Sequence, residues 1–500
     1  MQSDTYKIFH TALASWFQIV MLVISNILII PLILHKWDPE LLGLWLILIS
    51  LTQLTSIINL SYQTYLYNRC FTLNIKNKKL INKELLSAIP ISLLISLSVI
   101  VVLIIFYKFD ILIDLLNINK EYSEIFNISI IYLSVFYFFS YSYGNFLPGP
   151  FSAFGHYHVY AWIKVFRTFI NSFIPAIAIF LGASFIEAVY FLILSEIISF
   201  IIHIFFSLKY FVKFSFKFLK PNINLGLNQF KLSFFILINS IIDFIKNIGL
   251  RLILTTVFSP LSVSYFVTLR IITNFIKFSI DSLRDPLFPK LMTSFENNQK
   301  KNILLLIETY WIITIVIVSP ILIISQILAP FFFEYWTLNK IKFQPYLFNF
   351  LIMSLLFYSI NLPFDMILKG FNKNKKILTI NLFSVLIFLI SFLILINFYS
   401  LVSVGIAIFI SEISAMFFYF INIKKFLKDK KIKINERFFY LTLFIIIHTC
   451  LLISLATIID VSIVFYLYTL ITFVIFIFNI KKLSSKKTSN LLKMKFKLIK

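Results

Sequence analysis

Long apolar runs recur along the whole chain, separated by short clusters of Lys, Asn and Pro. A bilayer core offers no water to the backbone, so a run of about 20 apolar residues is predicted to be a helix that satisfies its own N–H and C=O groups. The pattern predicts spans at 12–34, 42–65, 86–107, 125–147, 161–181, 185–206, 232–258, 261–282, 303–328, 346–368, 377–398, 402–422, 438–459 and 461–480. The predicted fold is therefore an all-α polytopic membrane protein of about fourteen transmembrane helices. Tight hairpins are expected between spans, such as the one at Gly182 and Ala183.

Composition agrees with the pattern. Of the 500 residues, 60% are hydrophobic and 13% charged, against about a quarter charged in soluble domains. No hydrophilic stretch exceeds about 25 residues, too few to build a separate soluble core. The two cysteines, Cys70 and Cys450, are too few and too far apart for a disulfide framework or a metal site. No HExxH, CxxC or phosphate-binding Gly-rich motif occurs, and there are only nine glycines, so no cofactor and no catalytic chemistry are expected. The N-terminal apolar run lacks a small-residue cleavage site and is expected to be a retained first span.

The formal charge of +24 arises from Lys and Arg in short loops, where they act as topology signals and lipid headgroup contacts, and nucleic acid is not an expected partner. One face of the membrane receives 34 of the 45 basic residues. They include Arg69, the loops bearing Lys76 to Lys83 and Lys209 to Lys231, the run from Lys424 to Arg437 and the Lys-rich tail. Only Lys36, Lys108, Lys120, Lys340 and Lys342 lie on the other face. By the positive-inside rule both termini are expected in the cytoplasm. The external loops, the longest at 108–124 and 329–345, are short.

The segment WDPELLGLWLILISLTQLTSII aligns with FSPLSVSYFVTLRIITNFIKFSI, with Pro260 lying 221 residues after Pro39. The same spacing joins Trp37 to Phe258, Trp45 to Phe266, Gln18 to Asn239, Asn26 to Asn247, Gln53 to Asn274 and Ser56 to Lys277. Six helices separate the copies, so the halves share one orientation and are expected to be related by an axis along the membrane normal. The expected organisation is a six-helix bundle over 1–220, a second over 221–430, and two further helices with a basic tail over 431–500.

Ionisable residues inside a span are costly unless they face a partner or a polar cavity. In span 232–258, Asn239, Asp243, Lys246, Asn247 and Arg251 share one helical face. In span 261–282 and just beyond, Arg270, Thr273, Asn274, Lys277, Asp281 and Arg284 follow the same spacing. Two readings stand for Lys277, Asp281 and Arg284: ion pairs on a helix surface, or a hydrated cationic cavity. Arg251 and Arg270 have no acidic neighbour at helical spacing and are read as lining the cavity. Lys164 and Arg167, at the start of their span, either snorkel or guard the cavity mouth. Asp365, on a stripe with Ser354, Tyr358 and Asn361, and Glu412, between Ser411 and Ser414, either carry a coupling proton or sodium ion or neutralise a cation. His203 and His448 are read as packing residues.

The stretch LGLWLILISLTQLTSIINLSYQTYLYNR, which follows a Pro-containing loop, resembles the second helix of the oligosaccharide and polysaccharide flippases of the MOP transporter superfamily, the group that includes O-antigen repeat-unit translocases. FSPLSVSYFVTLRIITNFIKFSIDSLRDPLFPKLM is similar to the start of their second bundle. The resemblance implies a MOP/MATE-like fold of two six-helix bundles plus two helices. It also implies a flippase, not an enzyme, in a bacterial cell (inner) membrane, moving a polyprenyl-diphosphate-linked oligosaccharide of O-antigen, capsule or exopolysaccharide from the cytoplasmic to the outer leaflet. Other glycan-assembly proteins and membrane lipids are the further partners it implies. The physics agrees, because a diphosphate entering a membrane needs Arg or Lys to replace its hydration. The candidate substrate contacts are Arg251, Arg270, Lys246, Lys277, Asn247, Asn274, Arg69 and Arg167, and the candidate coupling acids are Asp243, Asp365 and Glu412. The first half is polar but uncharged, so no first-half cation beyond Arg69 matches the family pattern. Pro31, Pro175, Pro260, Pro320 and Pro363 are candidate kinks.

Three other functions fit parts of the pattern. A cation-coupled multidrug exporter of the same superfamily is disfavoured by the positive polar faces. A membrane polymerase or glycosyltransferase is disfavoured by the short external loops. A scaffold for glycan-assembly proteins would use the basic loops.

Overall fold

The computed structural model describes residues 2–73, 78–141, 151, 154, 156–245, 249–284, 287–371 and 373–458. Every regular element among them is helical. Eleven of the helical stretches are long and apolar enough to cross a membrane. The expected span at 12–34 also falls on a helix, and 125–147 does so as far as Tyr141, while 142–147 and 461–480 lie outside the described residues. The protein is a multi-pass, all-helical membrane protein.

The described chain forms two compact units. The first comprises Met1–Val267 with Trp336–Ile341. It contains α1 (Gln2–Leu34), α2 (Pro39–Leu73), α3 (Lys78–Lys108), α4 (Ile111–Leu115), α5 (Lys120–Tyr141), α6 (Tyr157–Phe180), α7 (Phe185–Lys213), α8 (Ile223–Phe244), α9 (Leu250–Thr255) and the first two turns of α10 (Pro260–Arg284). Within it α1 packs on α6, α6 on α7, α7 on α5, and α8 on α2 and α3.

The α6–α7 turn is the hairpin expected from sequence. Gly182 adopts a left-handed φ of 106°, a conformation open to a residue without Cβ. Ser184 then caps α7 in a reciprocal box with Glu187, which satisfies N–H groups that no helical carbonyl can reach.

The second unit comprises Thr268–Tyr335 and Lys342–Lys500. Besides the rest of α10 it holds α11 (Leu287–Glu296), α12 (Lys300–Ile313), a π-helical turn (Thr314–Val318), α13 (Ser319–Trp336), α14 (Pro345–Gly370), α15 (Asn374–Tyr399), α16 (Val402–Asp429) and α17 (Glu436–Ile458). α14 is the core element, with its apolar stretch 94% buried. α16 packs along α14 and α15, and α17 packs on α14. These units follow contacts. The bundles expected at 1–220, 221–430 and 431–500 follow topology and are retained as part of the functional proposal.

Several expectations need correction. The span expected at 232–258 begins earlier than its apolar run: α8 starts at Ile223, where Asn222 caps the Leu225 amide at 3.0 Å, and residues 246–248 of the expected span lie outside the described residues. Lys231 therefore sits on a helix and not in a loop. The external loop expected at 329–345 is shorter, because α13 continues past Pro330 to Trp336.

Pro260 is not a kink. It opens α10 as Pro39 opens α2, a position where the missing N–H had no helical partner anyway. Both helices thus begin at the prolines that the internal alignment pairs. Gly43 lies at this junction, where a Cβ would meet the Pro260 carbonyl oxygen at 2.0 Å. Pro31, Pro175 and Pro363 do lie inside helices. Pro320 lies two residues after the π turn, and Ser319 Oγ donates to the Thr314 carbonyl across that turn at 3.3 Å. A wider turn accommodates the proline ring, which otherwise presses on the carbonyl four residues back.

Candidate functional site

α14 is buried along its length, so each polar residue on it must find a partner or lose hydration without return. Its stripe Ser354, Tyr358, Asn361 and Asp365 meets polar groups from α10 and α16. The Tyr358 hydroxyl donates to Asp281 Oδ1 at 2.7 Å, and the Lys277 ammonium lies 4.5 Å from the centre of the Tyr358 ring. Asp365 uses both oxygens: Lys369 Nζ lies 2.7 Å from Oδ2, and the Tyr419 hydroxyl donates to Oδ1 at 3.2 Å. Asp281, Asp365 and Glu412 all act electrostatically on Tyr358, which marks one polar seam through the unit.

Arg270 lies in this unit and is 9% exposed. Its acidic neighbour is Glu412 on α16, a partner invisible to helical spacing along α10. Its Nε is buried and makes no hydrogen bond. The side-chain nitrogen and oxygen of Asn361, 4% exposed, are likewise buried without partners. A buried donor left unmade costs about 1–3 kcal/mol, more when charged. The seam therefore holds hydrogen-bonding groups without partners close to the carboxylates of Asp281, Asp365 and Glu412. Asn274 is half-buried on α10.

The remaining expected contacts are distributed differently. Arg69 Nε binds Glu84 at 3.1 Å, and Gln229 on α8 bridges to that carboxylate and to the Tyr62 hydroxyl. Arg167 Nη2 binds Glu196 at 2.7 Å. Glu196 is fully buried and also receives the Asn171 amide, while Ser195 Oγ donates to Asn171 Oδ1 at 3.0 Å. Arg251 is half-buried on α9 and Asn239 bonds back to the Phe235 carbonyl. Lys246, Asn247 and the side chain of Asp243 lie outside the described residues, as does the side chain of Arg284.

Sequence reasoning passed over Glu84, Glu196 and Glu308, the last held by Asn435 at 3.0 Å. The signal for Glu196 was present, since it sits mid-span in FLILSEIISF. Among the described residues no group of three His, Cys, Asp or Glu could hold a metal.

No protein-family model matches the chain, and no curated protein matches it. Solved structures do. One is the lipid II flippase MurJ in an inward closed conformation, with a TM-score of 0.65 and 15% identity over 93% of this chain and 97% of that one. Another is a multidrug resistance MATE family transporter of the MOP superfamily in an inward-facing conformation, with a TM-score of 0.60 and 16% identity over 83% and 95%. A third is a MOP superfamily transporter from Pyrococcus furiosus, with a TM-score of 0.55 and 14% identity over 86% and 97%. The chain has the fold of these transporters.

Proposed function

We propose that the chain is a flippase that moves a polyprenyl-diphosphate-linked oligosaccharide from the cytoplasmic to the outer leaflet by alternating access. The observation that carries this reading is Arg270, a guanidinium in the interior of unit 2 whose Nε has no hydrogen-bond partner. A diphosphate supplies the acceptors that such a donor lacks, and Arg matches phosphate oxygens in pairs. Lys277 adds positive charge on the same helix, and the unpartnered amide of Asn361 suits a sugar hydroxyl. Arg251, Lys246, Asn247, Asn274, Arg69 and Arg167 remain proposed secondary contacts. Asp365 and Glu412, with Asp243, are proposed to carry the coupling ion, since a carboxylate flanked by a lysine or arginine can exchange that partner for a proton or sodium ion. The bundles at 1–220 and 221–430 would be the moving halves. Similarity of fold to a lipid II flippase supports the substrate class.

A second reading, a cation-coupled multidrug exporter, is favoured by the same fold in multidrug resistance transporters. Reconstitution distinguishes them. With a fluorescent polyprenyl-diphosphate oligosaccharide in proteoliposomes, Arg270→Ala is expected to slow flipping about 10- to 100-fold, the worth of one charge-assisted hydrogen bond. Arg270→Lys should be intermediate, because it keeps the charge and loses the fork. Wild-type flipping by Arg270→Ala overturns the role of this residue. Efflux of cationic drugs without any glycan flipping moves the assignment to the exporter.

A further inference from the structure

At the basic end of unit 2, α11, the start of α12, the last turn of α14 and the loop after α16 enclose a cavity of about 390 Å³. It belongs to none of the groups invoked for transport. Its polar lining is Lys300, Lys430 and Asn298, and its apolar lining includes Phe295, Phe371 and Met292. The Lys430 ammonium stands 5.7 Å from the centre of the Phe371 ring, and Phe371 meets Phe295 edge to face at 4.9 Å. The lining is thus both cationic and aromatic. The volume falls within the range of small-molecule sites, about 300–1,000 Å³.

Charge around the cavity is one-sided. The run from Lys424 to Arg437 carries seven Lys or Arg against Asp429 and Glu436, and Glu436 is already engaged by Lys424 at 3.0 Å. Among the described residues neither Lys300 nor Lys430 has a carboxylate partner. Two lysines lining one cavity leave it with an excess of positive charge that an anion would balance. The loops that present them are fixed in shape: Asn298 and Lys431 take left-handed φ values of 50° and 57°, and Ile432 closes the α16 terminus through the Leu427 carbonyl at 2.8 Å.

The anion's chemistry follows from this mixed lining. A phosphate group satisfies the lysines, but a bare phosphate gains nothing from Phe295, Phe371 and Met292. A glycerophospholipid uses both, with its phosphate on the ammonium groups and its glycerol and upper chain carbons against the rings. α11 itself, LFPKLMTSFE, is a short amphipathic helix of the kind that lies in the headgroup layer. We propose that this cavity is a binding site for the phosphate headgroup of an anionic phospholipid, separate from the transported substrate.

The test uses the full-length protein in nanodiscs of phosphatidylcholine doped with phosphatidylglycerol, with protein-bound phosphatidylglycerol counted by mass spectrometry. Lys300→Gln combined with Lys430→Gln is expected to weaken its retention about 30-fold, two basic residues' worth of attraction to anionic lipid. Lys373→Gln combined with Lys433→Gln removes equal charge from the same end but outside the cavity, and should leave retention unchanged. The proposal is overturned if the cavity variant retains the lipid like wild type, or if the control pair loses as much. It is also overturned if inorganic phosphate displaces none of the bound lipid at any concentration, because the phosphate would then not be what the site holds. Displacement by inorganic phosphate only in the lysine-intact protein supports it. All four lysines are solvent-exposed, so folding of both variants is checked simply by size exclusion.

Discussion

In the α6–α7 hairpin of unit 1, Arg167, Asn171, Ser195 and Glu196 close on one another across two helices. On α14 of unit 2, Asn361 bonds to nothing through its side chain, and Arg270 on α10 leaves Nε unused. Asp365 takes its ammonium partner from its own helix, one turn on, at Lys369. Both regions bury charge. In the first, the charges are consumed in holding two helices together, and removing either member strands the other. In the second, part of the hydrogen-bonding capacity meets no partner within the protein, and it is this capacity that is proposed to meet the substrate. Buried polarity in this chain therefore divides into a locking kind and a working kind, and sequence position alone does not separate them.

The difference can be broken by substitution. Arg167→Ala leaves the Glu196 carboxylate fully buried without its guanidinium and is expected to destabilise the protein most, by about 3–5 kcal/mol. This would be read as a fall in Tm and in membrane-inserted yield. Adding Glu196→Gln should restore part of the loss, and a wild-type Tm for Arg167→Ala would dissolve the locking assignment. Gly43→Ala drives a Cβ into the Pro260 carbonyl and should cost about 1–3 kcal/mol, again in Tm. Tyr358→Phe removes one hydroxyl from Asp281 and should cost about 1.5 kcal/mol. The smallest effect on stability is expected for Arg270→Met. It removes the guanidinium that faces the half-buried Glu412 but breaks no hydrogen bond at Nε, so the expected cost is about 1 kcal/mol. Its Tm should fall by less than that of Tyr358→Phe while flipping is lost. A large Tm drop for this variant would place Arg270 among the locks.

Much of the fold was legible because the bilayer imposes one rule on every span, and apolar length reads directly as helix. The polar seam was legible in part for the same reason. Asp365, Glu412 and Arg270 stand out as ionisable residues in apolar surroundings, and Tyr358, Asn361 and Asp365 follow helical spacing on one element. Partnership across helices was not legible. Arg270 and Glu412 are 142 positions apart, and nothing in either segment announces the other. Arg167 and Glu196 are 29 apart, and only the packing of the hairpin brings them together. Helix ends were misjudged where polar capping outruns hydrophobicity: α8 begins at Ile223 because Asn222 caps it, nine residues before the apolar run begins to look like a span.

The π turn at Thr314–Val318 has a consequence for the register of the expected internal repeat. A wide turn of this kind takes in one residue more than an α-helical turn. The helix α3, which the spacing of 221 between Pro39 and Pro260 sets against this region, runs from Lys78 to Lys108 without one. An alignment of the two halves at that one constant spacing would therefore set the helix faces one residue out of step beyond Val318.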